Sequence, residues 1–459
     1  MRAKTLEQAA KLLCSLLLLV LTFTYILGLN YENMPLSQGI TLIVLYLIFI
    51  ISSLNLYKAV ANGLLFNGLA WRFWLVFLCI APMVQIKTNR FPLSSDSTPE
   101  NNQLGVLIIL VATVFLWLGN ITYHQPKEVK KVNASNSANS QKYISLLAFV
   151  SLVCFFVISI RSSFGVFLLT RYEYENATRY ALFSPQITLI VVSLCKIASI
   201  VCASYFILNR ERDSFKGIGG CFKIFIILEA IYVNNPISSS RLGFVAMLTV
   251  LVLSWGKIHP NLIRFITLSI VPFYLFLFPF LDRFRYEKIL TKKSGVYESL
   301  INPDFDAYQQ LSNTVAFVHA QGFQMGKQFA GAILLFVPNE FWQSKPIPSG
   351  PLVATSANLR FTNVSSPIPA EAFIDFGIAG VIAYTMLIGY LISRADRVLL
   401  ASQKRGSFSS ISLVLLLAIS GQISLLLRGA LIGVAGPSIL VFLFFASFKF
   451  KTYLESSRI

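Results

Sequence analysis

"QGITLIVLYLIFIISSLNLY", Gln38 to Tyr57, runs for twenty residues without a formal charge. That is the length at which an α-helix crosses the hydrocarbon core of a bilayer. Backbone polar groups must be satisfied within such a segment, so it reads as a membrane-spanning helix. Comparable runs lie on both sides of it: 11–29, 63–86, 104–123, 143–160, 187–208, 221–235, 242–256, 262–281, 372–393, 409–426 and 429–448. The run at 221–235 is short and ends in "NNP". The count predicts an all-α integral membrane protein with about 12 transmembrane helices (11–13), a single polytopic membrane domain over residues 1–459.

Composition agrees. Hydrophobic residues make up 55% of the chain, charged residues only 13%, and the mean hydropathy is +0.68. A soluble protein carries about a quarter charged residues, and no stretch here resembles a detachable soluble domain. Arg2, Lys4 and Lys11 precede the first run, "LLCSLLLLVLTFTYILGL". The run is long and no small-residue cleavage site follows it, so it is read as a retained span. The six cysteines fall in or beside apolar runs with no CxxC or CxxH spacing, and His124, His259 and His319 are scattered. Neither a disulfide framework nor a metal site is expected.

The net charge of +18 would suggest nucleic acid in a soluble chain. In a membrane protein it suggests cytoplasmic loops and anionic headgroups, and nucleic acid is not expected as a partner. With a cytoplasmic N-terminus, the inside connections include "HQPKEVKKVNASNSANSQK", "NRERDSFKG", "GKIHPN", "SRADRVLLASQKRG" and the tail "KFKTYLESSRI", all basic. The outside connections include "NYENMPLS" and "KTNRFPLSSDSTPENNQ", which are mixed or acidic. The positive-inside rule therefore places both termini in the cytoplasm.

This orientation leaves one large extracytoplasmic loop, 282–371. Loops of that length without a fold of their own are uncommon and usually functional. Within it, "MGKQFAGAILLFVP" is too short to span and predicts an interfacial or re-entrant helix near 326–337. The same loop holds "FVPNEFWQSKPIPSG", Phe336 to Gly350, whose Pro338, Pro346 and Pro348 rule out a continuous helix.

Several arginines fall on the side the rule leaves poor in them: Arg161, Arg171, Arg179, Arg241, Arg283, Arg285, Arg360 and Arg428. Arg241 follows three serines in "NNPISSSRLG", and Arg428 sits in the turn of "SLLLRGALIG". Singly, each reads as a side chain snorkelling to lipid phosphate. Together they suggest a site for a phosphorylated ligand, because guanidinium forks grip successive phosphoryl groups. Arg161, Arg241, Arg283, Arg360 and Arg428 are the candidate phosphate contacts. Deeper, Lys196 and Glu229 stand near the middle of adjacent spans and predict an ion pair. Arg72, in "AWRFW", is expected to snorkel or to stack on Trp71 or Trp74.

The segment "FVPNEFWQSKPIPSG" followed by "PAEAFIDFGIAG" resembles the large-loop signature of bacterial O-antigen polymerases, the Wzy family. There a phrase like FVPR-x-x-W-x-x-KP-x-x-x-G precedes one like GE-x-Y-x-NFG-x-x-G. Phe336, Val337, Pro338, Trp342, Lys345, Pro346 and Gly350 match the first phrase, and Glu371, Phe376, Gly377 and Gly380 the second. The chain departs at Asn339 (arginine in the family), Ala370 (glycine), Phe373 (tyrosine) and Asp375 (asparagine). The missing arginine at 339 removes one expected phosphate contact.

The resemblance implies a GT-C-like glycosyltransferase of the bacterial inner membrane that uses no metal, cofactor or nucleotide sugar. Its substrates would be undecaprenyl-pyrophosphate-linked oligosaccharides, donor and acceptor, and a chain-length regulator would be a partner. The growing glycan would be transferred to a hydroxyl of the next lipid-linked unit at the periplasmic face. The arginines would hold the pyrophosphates, and Phe341, Trp342 and Lys345 would position the sugars. Glu371, Asp375 and His319 are the candidate bases; Glu371 reads equally as a helix-start charge facing the macrodipole. Two other readings stand beside this one. An O-antigen ligase would use the same donor but carry a histidine-bearing loop motif, which "AFVHAQGF" does not clearly supply. A lipid-oligosaccharide flippase would show two similar halves, which the chain does not.

Overall fold

The computed structural model describes residues 36–93, 98–122, 137–179, 182, 185–210, 217–272, 298, 300–335, 337, 340–405, 411–434 and 439. The elements are helical: α1 (Leu36–Asn62), α2 (Leu65–Leu75) continuing through a π-helical turn (Val76–Ile80) into α3 (Ala81–Thr88), α4 (Pro99–Thr122), α5 (Ser137–Arg161), α6 (Arg171–Arg179), α7 (Pro185–Leu208), α8 (Gly217–Val233), α9 (Arg241–Trp255), α10 (Pro260–Pro272), α11 (Ala307–Gln321), α12 (Lys327–Ile333), α13 (Ser349–Ser356), α14 (Ile368–Arg405) and α15 (Ile411–Arg428). Short 3-10 turns cover Phe164–Leu168 and Pro303–Phe305.

The chain is a multi-pass integral membrane protein, but the expected dozen spans are corrected. Among the described residues six helices are long and apolar enough to cross: Leu36–Asn62, Leu65–Thr88, Pro99–Ile121, Gln141–Arg161, Ile187–Leu208 and Ile368–Gln403. Apolar composition alone misled the count, because several apolar runs fold into helices that are too short. With 17 and 15 residues, α8 and α9 extend only about 26 and about 23 Å against a hydrocarbon core of about 30 Å. The apolar part of α15, Leu413–Arg428, falls short in the same way. The spans expected at 11–29 and over most of 429–448, and the last part of 262–281, lie outside the described residues.

In α1, Leu36, Ile40, Ile43, Leu47, Ile50 and Leu54 are exposed while Leu42, Leu45, Ile48, Phe49, Ser52 and Ser53 are buried. The exposed apolar stripe recurs every three or four residues, so one helix face is turned to lipid and the other to the bundle. The tightest seam joins α4 to α14. A Cβ on Gly119 would collide with the Met386 carbonyl, and one on Gly389 with the Leu116 carbonyl. Small residues at such a crossing let two membrane helices approach to backbone contact. Near one end of this seam, buried Asp396 accepts from the Phe66 and Asn67 amides, each at 2.8 Å, and so caps α2.

At the other end of the bundle the chain forms a polar layer. Phe305 is buried and stacks on Phe77 of the π-helical turn with 5.1 Å between ring centroids. Gln85 donates to the Leu300 and Phe305 carbonyls at 2.9 Å. These contacts fix the Pro303–Phe305 turn and launch α11, whose polar residues from Gln309 to Thr314 are nearly all buried. Gln309 pairs with both the N–H (2.8 Å) and the C=O (2.6 Å) of Leu93, as a backbone strand would. Inside α14 the helix breaks at Phe376 and Gly377, the latter with φ +61°. Near the break, the Ile374 carbonyl accepts from the Gln324 amide at 2.8 Å.

Candidate functional site

The turn Pro303–Phe305 carries a carboxylate at Asp304 and is followed by another at Asp306. Asp304 is paired with the Arg241 guanidinium. Asp306 takes an Arg428 N–H at 3.0 Å on one oxygen and the Ser365 amide at 2.9 Å on the other. Two arginines that are 187 residues apart in the chain (428 − 241) are thereby drawn to one three-residue span. Asp306 and the Arg241 side chain are buried, whereas Asp304 and Arg428 remain partly open. The Arg428 carbonyl also accepts from the Ser366 amide at 2.9 Å, so the start of α14 is tied to the end of α15.

Glu371 stands in the first turn of α14, fully buried, and the Ser349 hydroxyl donates to it. The Ser366 hydroxyl and the Leu431 amide face the same carboxylate. Ser349 opens α13, which the close passage of Gly350 under Val364 permits: a Cβ there would stand 2.9 Å from the Val364 carbonyl. Asp375 is also buried, but its oxygens accept from the Gln328 (3.1 Å) and Phe329 (2.9 Å) amides. It caps α12, a positioning contact that leaves Glu371 as the better placed acid.

The remaining candidates spread out. His319, in the last turn of α11, and Arg360, between α13 and α14, are exposed, as is Arg161 at the end of α5. Arg283 lies outside the described residues. Phe341 is exposed and Trp342 half-buried. Lys345 is held inward: its Nζ donates to the Leu335 carbonyl at 2.6 Å and the Val337 carbonyl at 2.9 Å. Partial burial lowers its pKa from the ordinary lysine value. The structure thus draws Arg241 and Arg428 to Asp304 and Asp306, sets Glu371 against Ser349, and leaves His319, Arg360 and Arg161 apart from these contacts.

Two other expectations are corrected. Lys196 and Glu229 do not pair: Lys196 donates to the Ser239 hydroxyl at 2.9 Å and lies 4.8 Å from the Tyr174 ring centroid, while Glu229 accepts from Ser151 at 2.8 Å and from the Cys195 thiol. The two helices present these side chains to different neighbours. Arg72 does not snorkel; it is buried among α2, α9 and α15 and donates to Ser424 at 3.1 Å.

Sequence reasoning missed Asp304 and Asp306. The signal available was their rarity, since the chain has 20 acidic residues against 38 basic ones and "NPDFD" places two of them within three positions of each other. It also missed the α11 face. Gln310, one turn after Asp306, is buried with neither amide atom hydrogen-bonded among the described residues, and Asn313 Nδ2 is likewise unpartnered. A buried amide without a protein partner is one that a water or a ligand would satisfy.

No protein family, curated protein or solved structure matches this chain.

Proposed function

We propose that the chain is a membrane glycosyltransferase that joins undecaprenyl-pyrophosphate-linked oligosaccharide repeat units into a surface polysaccharide of the O-antigen type. The reading places the arginine end at the periplasmic face of a bacterial cytoplasmic membrane, with both termini inside. The observation that carries it is the convergence of Arg241 and Arg428 on Asp304 and Asp306. Asp304 and Asp306 hold the two guanidinium groups at one three-residue span, and planar guanidinium forks suit successive phosphoryl groups. The likeness of the neighbouring loop to the Wzy signature supports the same reading.

In this mechanism the acceptor hydroxyl oxygen attacks the anomeric carbon of the donor glycan. The bond from that carbon to the pyrophosphate oxygen breaks as the new glycosidic bond forms. Glu371 takes the hydroxyl proton, and Ser349 holds the carboxylate in place. The arginines stabilise the charge that develops on the departing pyrophosphate.

The test is the surface-glycan ladder of a strain lacking this gene, with and without the gene restored. Collapse to core bearing a single repeat unit, reversed by the gene, is the expected result. Absence of any repeat on the core would transfer the assignment to ligation or flipping, and an unchanged ladder would overturn the proposal.

A further inference from the structure

Lys196 is the one ion-pair expectation that the structure redirects to the arginine end. It lies eleven residues after Pro185 in α7, about 16 Å along the helix axis from that end. Yet its ammonium meets Ser239, in the turn that joins α8 to α9. Because those two helices are short, their connecting turn is recessed into the bundle instead of standing at its rim. The turn is held in shape by Asn235, whose side chain accepts from the Ile237 and Ser238 amides and donates to the Phe167 carbonyl. Ser240 then caps α9, accepting from the Gly243 amide at 3.0 Å.

Positive charge accumulates here without matching negative charge. The N-terminus of α9, a helix of 15 residues, presents the positive end of its dipole. Arg241 occupies its first turn and is neutralised by Asp304. Lys196 has no such partner: among the described residues no carboxylate lies within ion-pair distance of it. Glu229 is turned to Ser151 and Cys195, and Glu175 is bound to Arg171 at 2.8 Å. The neutral Ser239 hydroxyl accepts one of its N–H groups, and the Tyr174 ring covers another side. Tyr174 comes from α6, whose start is fixed by Glu173 accepting from both the Thr170 amide and hydroxyl. Two buried hydroxyls of the surrounding segments, Ser238 Oγ in the turn and Tyr174 OH in α6, have no hydrogen-bond partner among the described residues. Lys196 thus lies next to the turn that starts α9 with no carboxylate paired to it, an arrangement that an anion would complete.

We propose that Lys196, Ser238, Tyr174 and the start of α9 form a recessed anion site that takes a phosphoryl group of a lipid anion. It rests on the glycan-polymerisation reading for the identity of that lipid as a polyprenyl diphosphate; the site itself does not. Arg241 would grip one phosphoryl group and Lys196 the other.

The experiment is binding of geranylgeranyl diphosphate to the full chain in phosphatidylcholine nanodiscs, by calorimetry, for the natural protein, Lys196→Met and Lys196→Arg. Lys196→Met should weaken binding by about tenfold or more, the loss of a charge-assisted contact, and Lys196→Arg should restore most of it. Unchanged affinity in Lys196→Met, or no binding by the natural protein, would overturn the site. Should Lys196→Met fail to fold, Ser239→Asp supplies an internal carboxylate to the same ammonium and should abolish binding in a folded protein. Undiminished binding by Ser239→Asp would overturn the site as well. Competition by phosphatidylglycerol nanodiscs at matched lipid would keep the site and identify the bilayer headgroup as its ligand. Lys196-dependent binding in a protein whose deletion leaves the glycan ladder unchanged would remove the polymerase reading and keep this one. A ladder that collapses on deletion, with Lys196-independent binding, would do the reverse.

Discussion

The ion pairs at the arginine end are partly buried, and their worth is best judged by what breaking them leaves behind. Asp306→Ala would strand the Arg428 guanidinium and the Ser365 amide together, so it should lower the unfolding free energy by about 3 kcal/mol. The check is a chemical denaturation curve in detergent. Arg241→Ala and Arg428→Ala address chemistry as well as stability. Each should abolish polymer while the protein is still recovered from the membrane, and wild-type-length polymer from both variants would sink the pyrophosphate role. The arginines were legible because the positive-inside rule makes them rare on the side to which it assigns them. Their carboxylate partners were not, since Asp304 and Asp306 lie in a loop whose path depends on Phe305 finding Phe77. The same holds for Lys196: depth along a span is visible in a sequence, but which neighbour the side chain faces is decided by the rotation of helices against one another.

Among elements, the α4–α14 seam and the break in α14 make opposite demands of glycine. At the seam the demand is steric. Gly119→Val should push two backbones apart and cost about 3 kcal/mol, read as a lowered melting temperature and loss of the monodisperse peak. Gly39, which has open space around its Cβ position, is the control, and Gly39→Ala should leave both readings unchanged. At the break the demand is conformational. Gly377 has φ +61°, and an added Cβ would also meet the Phe323 ring at 3.1 Å. Gly377→Ala should therefore cost about 1–3 kcal/mol, with weakened capping of α12 by Asp375 seen as faster amide exchange at Gln328 and Phe329. Apolar runs showed where helices would form but not how long each would be. The short α8 and α9 needed the positions of their turns, and those are set by Asn235 and Ser240 hydrogen bonds that no hydropathy pattern records. The polar helix α11 was hidden for the opposite reason, because buried polar residues look like loop in a sequence.

For the whole molecule, the basic loops and the arginine end imply an orientation that can be read directly. In a Cys221→Ser background, which removes the exposed cysteine among those described, Arg360→Cys should react with a membrane-impermeant maleimide in intact spheroplasts. His259→Cys, exposed at the opposite end, should react only after lysis. The reverse pattern would invert the molecule and move the candidate site to the cytoplasm. One consequence of the α14 architecture concerns insertions and deletions. Gly389 fixes the lower part of this helix against α4, while Glu371 and Asp375 fix its upper part against the polar layer. Each inserted residue turns a helix by about 100° and lengthens it by about 1.5 Å. A single codon gained between Gly380 and Gly389 would therefore swing both acids away from Ser349 and from α12 at once, though no contacting residue had changed. The helix acts as a phase standard for the polar layer, and the number of residues between its two anchors is as much a determinant of the site as their identity.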